Sequence, residues 1–460
     1  MICRLVLCSS PFRLGLGLFF AAIPAFAIAE TLWPGFRGQG ASHVVGKNLP
    51  LFWEMGNRGP GNWSIRLPGY GQSSPVVWND TIFVTAVSGA EKEELHVLAI
   101  SRVDGKTLWQ KEFSGTQHVK DSDTVSRGAP TPVADAERIY AVFESGDVIV
   151  LTHDGEARWQ RSFVKEFGEI KGPHGYASSP VLVDGLLILQ VSHAGPSYVL
   201  ALDAASGEQR WKVDHPSQTG QSSPAVVRRD SQNQLIISTA GSVRALQAST
   251  GEEVWALNDI RGNSTASPSI DGDYIVIGAS AERGGGGPGR GRGGPNQGGP
   301  PGTDTAAKPP TRGGVEEKPS TPPGSLAILM GNQESPGAAQ VAWQSPKISS
   351  GYASPLVLDG LAYFVSRVGG VQCVDVATGD VKWQHRLPGQ VWASPVASNG
   401  HILFFCKEGT VVALKAGPEL VEVAESQLST TDIVYGVAAD DRGWIVRTGR
   451  GLIRVTTEIK

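Results

Sequence analysis

Cysteine, methionine and charge are all scarce in this chain. Four cysteines in 460 residues exclude a disulfide framework, so packing must hold the fold together. Cys3 and Cys8 belong to the N-terminal segment. Cys373 and Cys406 fall in different repeats and read as buried thiols. A charged fraction of 18%, 58 Gly and only 3 Met exclude a helical bundle, and a net charge of −4 argues against a general nucleic-acid binder. Beyond the N-terminal segment no run is long and apolar enough to span a bilayer. Catalytic and cofactor signatures are missing too: no C-x-x-C-H, no G-x-S-x-G and no H-E-x-x-H. Gly105-Lys106-Thr107 lacks the upstream glycine of a phosphate loop. Gly289 to Gly294 lacks the strand-turn-helix context of a dinucleotide fingerprint. The nine His are scattered, and the closest pair outside loops, His385 and His401, falls on different units.

The N-terminus has the layout of a secretory signal. Arg4 and Arg13 are basic, Leu14 to Phe26 is apolar, and Ala27-Ile28-Ala29 is an A-x-A cleavage site. A signal peptide over 1–29 leaves a mature chain from Glu30, whose charge falls from −4 to −6 with the loss of two arginines. Cys8 follows Leu5-Val6-Leu7 in the manner of a lipid-attachment box, but it precedes the apolar stretch, so no lipid anchor is expected. The expectation is export to the periplasm or cell envelope, with no transmembrane helix in the mature chain.

What the sequence does have is 12 Trp and a repeat. Ser/Thr-Pro before an apolar run occurs at Pro75, Pro132, Pro180, Pro224, Pro268, Pro355 and Pro395, at intervals of 57, 48, 44, 44, 87 and 40 residues. The long interval holds a low-complexity insert, 282–325, rich in Gly and Pro and expected to be disordered. In step with these markers run Trp63, Trp109, Trp159, Trp211, Trp255, Trp343 and Trp383. Tight turns such as Asp104-Gly105, Asp154-Gly155, Ser206-Gly207 and Thr378-Gly379 precede most of them; such pairs supply the positive φ of short hairpins. Each unit contains four short alternating runs, here lettered A to D, as at 179–183, 186–191, 198–202 and 208–213. Four strands per repeat of about 40–45 residues are the blades of a β-propeller. Seven units are complete. An eighth over 433–455 has three strands, and Asn62-Trp63-Ser64-Ile65 supplies its missing outer strand. The fold expected is all-β with eight blades, seven being the rival, and an N-terminal strand that closes the last blade.

These markers resemble the tryptophan-docking repeats of pyrroloquinoline-quinone (PQQ) type propellers. Ala201-Leu202-Asp203-Ala204-Ala205-Ser206-Gly207-Glu208-Gln209-Arg210-Trp211 is similar to a typical unit, as is Val374 to Trp383. The opening Trp33-Pro34-Gly35-Phe36-Arg37-Gly38 resembles the start of exported PQQ-like propellers of planctomycete-type bacteria. The resemblance covers about Trp33 to Thr457, includes BamB-like architecture, and implies that the repeat tryptophans dock between blades. Quinoprotein dehydrogenases of this kind carry an adjacent Cys-Cys pair, a Ca²⁺ held by Glu and Asn, and an Asp base. No two cysteines are adjacent here.

The expected organisation is an arm over 30–60 and a propeller over 61–460. In a four-stranded meander the B–C and D–A links share one face. The D–A links after Trp109 and Trp159 are the longest, at 23 and 21 residues to the marker prolines Pro132 and Pro180, and the insert interrupts a B–C link on the same side. Elaboration of one face marks a binding surface. The expected ligand or partner face at the channel mouth comprises His118, Lys120, Asp121, Asp123, Arg127, Lys165, Glu169, Lys171 and His174, with neighbouring Glu166. Trp392, just before an A strand, is a candidate for facing the channel. The function expected is a non-catalytic scaffold binding an envelope protein or small ligand, without nucleic acid, metal or cofactor. The alternative is a quinoprotein-like enzyme with PQQ and Ca²⁺ at the channel mouth.

Overall fold

A computed structural model describes residues 31–456, apart from 39, 41, 45–47, 55, 57–60, 123–124, 230, 280–322 and 332–338. The expected signal peptide, most of the insert and Asp123 lie outside the described residues.

Eight antiparallel sheets form eight blades. In chain order the first seven cover 76–114, 133–162, 181–215, 225–260, 269–345, 356–386 and 396–427. The eighth is built from Val434–Ala439, Gly443–Thr448 and Gly451–Thr456, and its outer strand is Trp63–Arg66 from the N-terminal side. Trp63 pairs with Arg454 and Arg66 with Gly451, so the ring is closed by strands from the two ends of the propeller and neither edge is left open. Blade 5 pairs Tyr274–Ile277 with Ser325–Met330, which places the insert in its B–C link. Ser325 itself opens a strand and is buried, its Oγ accepting from the Ala279 N–H at 3.0 Å. The insert therefore stops short of the boundary expected from composition.

Burial explains the composition of the strands. B and C strands are covered on both faces by neighbouring blades and are continuously apolar, as in Leu186–Val191, all six of whose residues are buried. Outer D strands such as Thr107–Ser114 are mostly exposed and polar. Among the described residues a single helical turn, Phe163–Phe167, interrupts the all-β pattern.

Both sequence markers have a structural role. The Ser74 N–H donates to Thr131 Oγ1, Thr131 N–H to Ser179 Oγ, Ser179 N–H to Ser223 Oγ and Ser223 N–H to Ser267 Oγ, each at 2.9 Å. Ser267 to Ser354 and Ser354 to Ser394 continue the series at 3.0 Å. The residue before each proline thus belongs to a hydrogen-bonded belt around the ring. Where blade 8 lacks the motif, Gly436 packs against Ser74, and a Cβ there would lie 2.3 Å from Ser74 Oγ. Ser223→Ala should leave the buried Ser179 N–H without an acceptor and lower stability by about 1–3 kcal/mol. A denaturant midpoint equal to that of the parent would contradict the belt.

The marker tryptophans dock onto the following blade. Their Nε1–H groups donate to Arg102 O from Trp63, His153 O from Trp109, Ala204 O from Trp159 and Ala248 O from Trp211, at 2.7–3.1 Å. Trp343 donates to Val376 O at 2.7 Å and Trp383 to Gly417 O at 3.0 Å; Trp255 is buried. The turn glycine of the next blade lies flat on the indole. At Gly207 (φ 77°) a Cβ would approach the Trp159 ring to 2.7 Å. Positive φ and close approach together require glycine there.

The arm, which the sequence left without structure, forms part of the hub. Thr31–Trp33 pairs with Val76–Trp78, the inner strand of blade 1, and His43–Val44 runs parallel to Ala397–Ser398 of blade 7. Between them Arg37, fully buried, spans the axis. Its guanidinium donates to Pro268 O at 3.1 Å, Ser269 Oγ at 2.7 Å, Pro355 O at 3.1 Å and Ser42 Oγ at 3.1 Å. Burial without a carboxylate partner lowers its pKa to about 10. Farther on, Pro50 O accepts from Trp444 Nε1 at 2.8 Å, and Trp53 donates to Ser426 Oγ and Gln427 O. The outer strand of blade 7, Glu422–Gln427, has no tryptophan of its own, and Trp53 stands in for it against blade 8.

Candidate binding face

The two long D–A links are braced into one unit. Gln117 Nε2 donates to Ile170 O and the Ile170 N–H donates to Gln117 Oε1, both at 2.9 Å. The Ser126 N–H donates to His174 O at 2.9 Å. Beneath the first link lies a buried ion pair, Lys92 Nζ to Glu144 Oε1, at 3.6 Å. Lys92 also donates to Ser126 O at 2.7 Å, and Gly128 N–H donates to both Glu144 oxygens at 2.9 Å. Burial raises the Glu144 pKa, while Lys92 and the Gly128 N–H oppose the shift. A buried charge pair whose remaining valences are hydrogen-bonded fixes the backbone around it.

On this support, His118, Lys120, Asp121, Lys171 and His174 are exposed, as is Glu169 beside them. His118 Nδ1 lies 3.6 Å from Glu91 Oε2. Arg127 departs from expectation: it is 8% exposed, pairs with Asp121 at 2.8 Å and lies 4.5 Å over the Tyr70 ring. It holds the link in place, so reversing its charge would also cost stability. Lys165 is set apart, lining a groove of about 630 Å³ with Asp147 and the Arg161–Glu166 pair. Trp392 lies at the mouth rather than in the hub, packed edge-on between Tyr352 and Tyr435 at 5.5 Å from each. No motif or spacing marked Lys92, Glu144 or these tyrosines as parts of the face.

His193 ties the second link to blade 3. It is buried, and its Nδ1 accepts from the Lys171 and Gly195 N–H groups at 3.0 Å. Burial and the Lys171 charge both lower its pKa below the usual imidazole value. The unfolded chain binds this proton at about pH 6.5, so the stability His193 contributes is complete above that pH and is lost as pH falls through the lower folded value. His43, His96 and His215 shift in the same direction, burial being the largest cause in each. Hydrogen exchange, corrected for intrinsic rate, should show protection at Lys171 and Gly195 at pH 7 and its loss in acid. Equal protection at both pH values would contradict this.

The chain matches the family model described as "Outer membrane protein assembly factor BamB" over residues 56–196, 169–285 and 335–421, more than half its length. It belongs to this PQQ-repeat propeller family. Among curated relatives, the outer membrane protein assembly factor BamB of Xanthomonas campestris is 28% identical over 35% of this chain and 38% of its own. That of Burkholderia pseudomallei is 24% identical over 55% of this chain and 61% of its own. The match thus spans less than two thirds of either relative. The crystal structure of BamB from Moraxella catarrhalis superposes with a TM-score of 0.56 at 16% identity, covering 86% of this chain and 97% of that one. Quinohemoprotein alcohol dehydrogenase from Comamonas testosteroni superposes at 0.54 with 12% identity, covering 88% and 78%. At such identities these likenesses concern the fold alone.

The quinoprotein likeness raises the question of whether a quinone would fit along the axis of this member of the BamB family. The cavity beside the arm is about 260 Å³, lined by Pro34, Val133, Pro180, Pro224 and similar apolar residues. Its one charged side chain, Arg37, is already engaged with two carbonyls and two hydroxyls. No carboxylate lines it, and among the described residues no three His, Cys, Asp or Glu side chains are grouped to hold a metal ion. The cavity does not suit a calcium-bound tricarboxylate. Cys373 and Cys406 are free and buried, and burial pushes their thiols up to about 12 and about 11, away from nucleophilic reactivity.

Proposed function

We propose that this chain is an exported, non-catalytic scaffold of the cell envelope that binds another protein through the face carrying the D–A and B–C links. The observation that carries this reading is the bracing of the two long links into one fixed surface through Gln117–Ile170 and Ser126–His174. Membership of the BamB family and the assembly role in the relatives' names agree with a protein-binding scaffold in the envelope.

The test is affinity capture from a native envelope, with wild-type protein and a Lys120→Glu/Lys171→Glu variant as baits. The reading expects a partner protein retained by the wild type and lost from the variant at unchanged melting temperature. Equal retention by both would overturn the assignment of this face. A stoichiometric quinone spectrum with dye reduction after adding PQQ and Ca²⁺ would instead establish the enzyme.

A further inference from the structure

Four aromatic rings follow one another around part of the mouth. Tyr352, Trp392, Tyr435 and Tyr70 are spaced at 5.5, 5.5 and 5.9 Å, each edge-on to the next. They come from four successive D–A links or strand starts, between blades 5 and 6 through to blades 8 and 1. Cations from the B–C turns of the same blades lie over them. Arg367 is 6.0 Å from the Tyr352 ring, Lys407 5.3 Å from Trp392, and Arg450 5.5 Å from Tyr70. The side chains of Lys407 and Arg450 form no ion pair with a carboxylate among the described residues, although the Arg450 backbone N–H donates to Asp432. The nearby acids Asp121 and Asp432 are engaged, the first by Arg127 and the second by the N–H groups of Ile433 and Arg450; Glu408 is exposed beside Lys407. Tyr352 and Val368 are each 48% exposed. Six docking tryptophans give their N–H to a fixed carbonyl, whereas Trp392 Nε1 has no hydrogen-bond partner, so no such bond fixes its ring.

We infer that this arc is a docking site for an extended, acidic, aromatic-bearing segment of a partner protein. The inference rests on the scaffold reading and deepens it. Surplus cations call for carboxylates in a chain that is otherwise net negative. Trp, Tyr and Arg are the residue types on which protein interfaces concentrate their binding. The arc is at most about 17 Å long, matching about five residues of extended chain at about 3.3 Å each. Exposed ring edges such as that of Tyr352 offer contacts to aromatic side chains, which a bare polyanion does not use.

The probe is a fluorescein-labelled octapeptide of alternating Asp and Phe, titrated against the full-length protein by anisotropy. A Lys-Phe counterpart, single-stranded DNA and phosphatidylglycerol vesicles serve as competitors. Saturable, salt-weakened binding of the acidic peptide is expected, reduced at least about tenfold by Lys407→Glu/Arg450→Glu and by Trp392→Ala, and unchanged by Lys106→Glu in an exposed C–D turn on the other face. Both charge variants alter half-buried or exposed side chains, and an unchanged melting temperature will confirm that they fold. No binding, equal binding of the basic peptide, tighter binding of DNA or vesicles, or indifference to the variants would overturn the inference. If the peptide fails while envelope capture still depends on Lys120 and Lys171, the scaffold reading stands and only the arc falls.

Discussion

Trp383→Ala is expected to lower stability by about 3–5 kcal/mol, the range for deleting a large buried ring. The indole is 8% exposed, lies 5.9 Å from the Tyr363 ring and shares a core cluster with residues of blades 6 and 7 such as Leu414. Truncation opens a cavity there and removes the donor to Gly417 O. Trp383→Phe keeps most of the apolar contact and loses the hydrogen bond, so its cost should be near the roughly 1 kcal/mol net value of one such bond. Denaturant midpoints at constant m-value measure both. An alanine variant no less stable than the phenylalanine variant would mean that the indoles do not fasten the blades.

Removing the arm's hold on the hub should have an effect of similar size. Trp33 is 2% exposed and shares a cluster with Leu49, Trp53, Trp444 and residues of blades 1, 7 and 8. Trp33→Ala is expected to cost about 3–5 kcal/mol. Arg37→Leu removes the guanidinium donor of the buried Pro268 carbonyl, at about 1–3 kcal/mol, while Pro355 O keeps the Ser269 Oγ–H donor at 2.6 Å. In both variants the arm should become cleavable by protease while the far-UV spectrum of the blades persists. An arm equally resistant in variant and parent would contradict its place in the hub.

The blades were legible because each repeat carries its own local chemistry. The serine or threonine of the belt and the proline that opens a strand lie together in sequence, and the docking indole follows the glycine turn of its own blade. Even the incomplete eighth unit pointed to its missing strand, because Trp63 carried the marker without preceding strands. The arm was not legible. Arg37 meets its partners 231 and 318 positions away, and nothing in Trp33 to Gly38 repeats. The face was half legible. Link length identified the elaborated side, but the brace joins positions 53 apart, and Arg127 read as a free surface charge because its burial comes from Tyr70 and Asp121. The aromatic arc draws on separate blades, each contributing a ring or a cation with no pattern of its own.

The central claim is a ring closed by the pairing of Trp63–Arg66 with Gly451–Thr456. The direct measurement is disulfide formation in a Ser64→Cys/Ile453→Cys variant, whose two positions are Cα partners in that pairing. The account predicts spontaneous oxidation in the folded monomer and a higher denaturation midpoint that reverts on reduction. Two thiols that stay reduced and freely alkylated in the folded protein would show that the ring is not closed there.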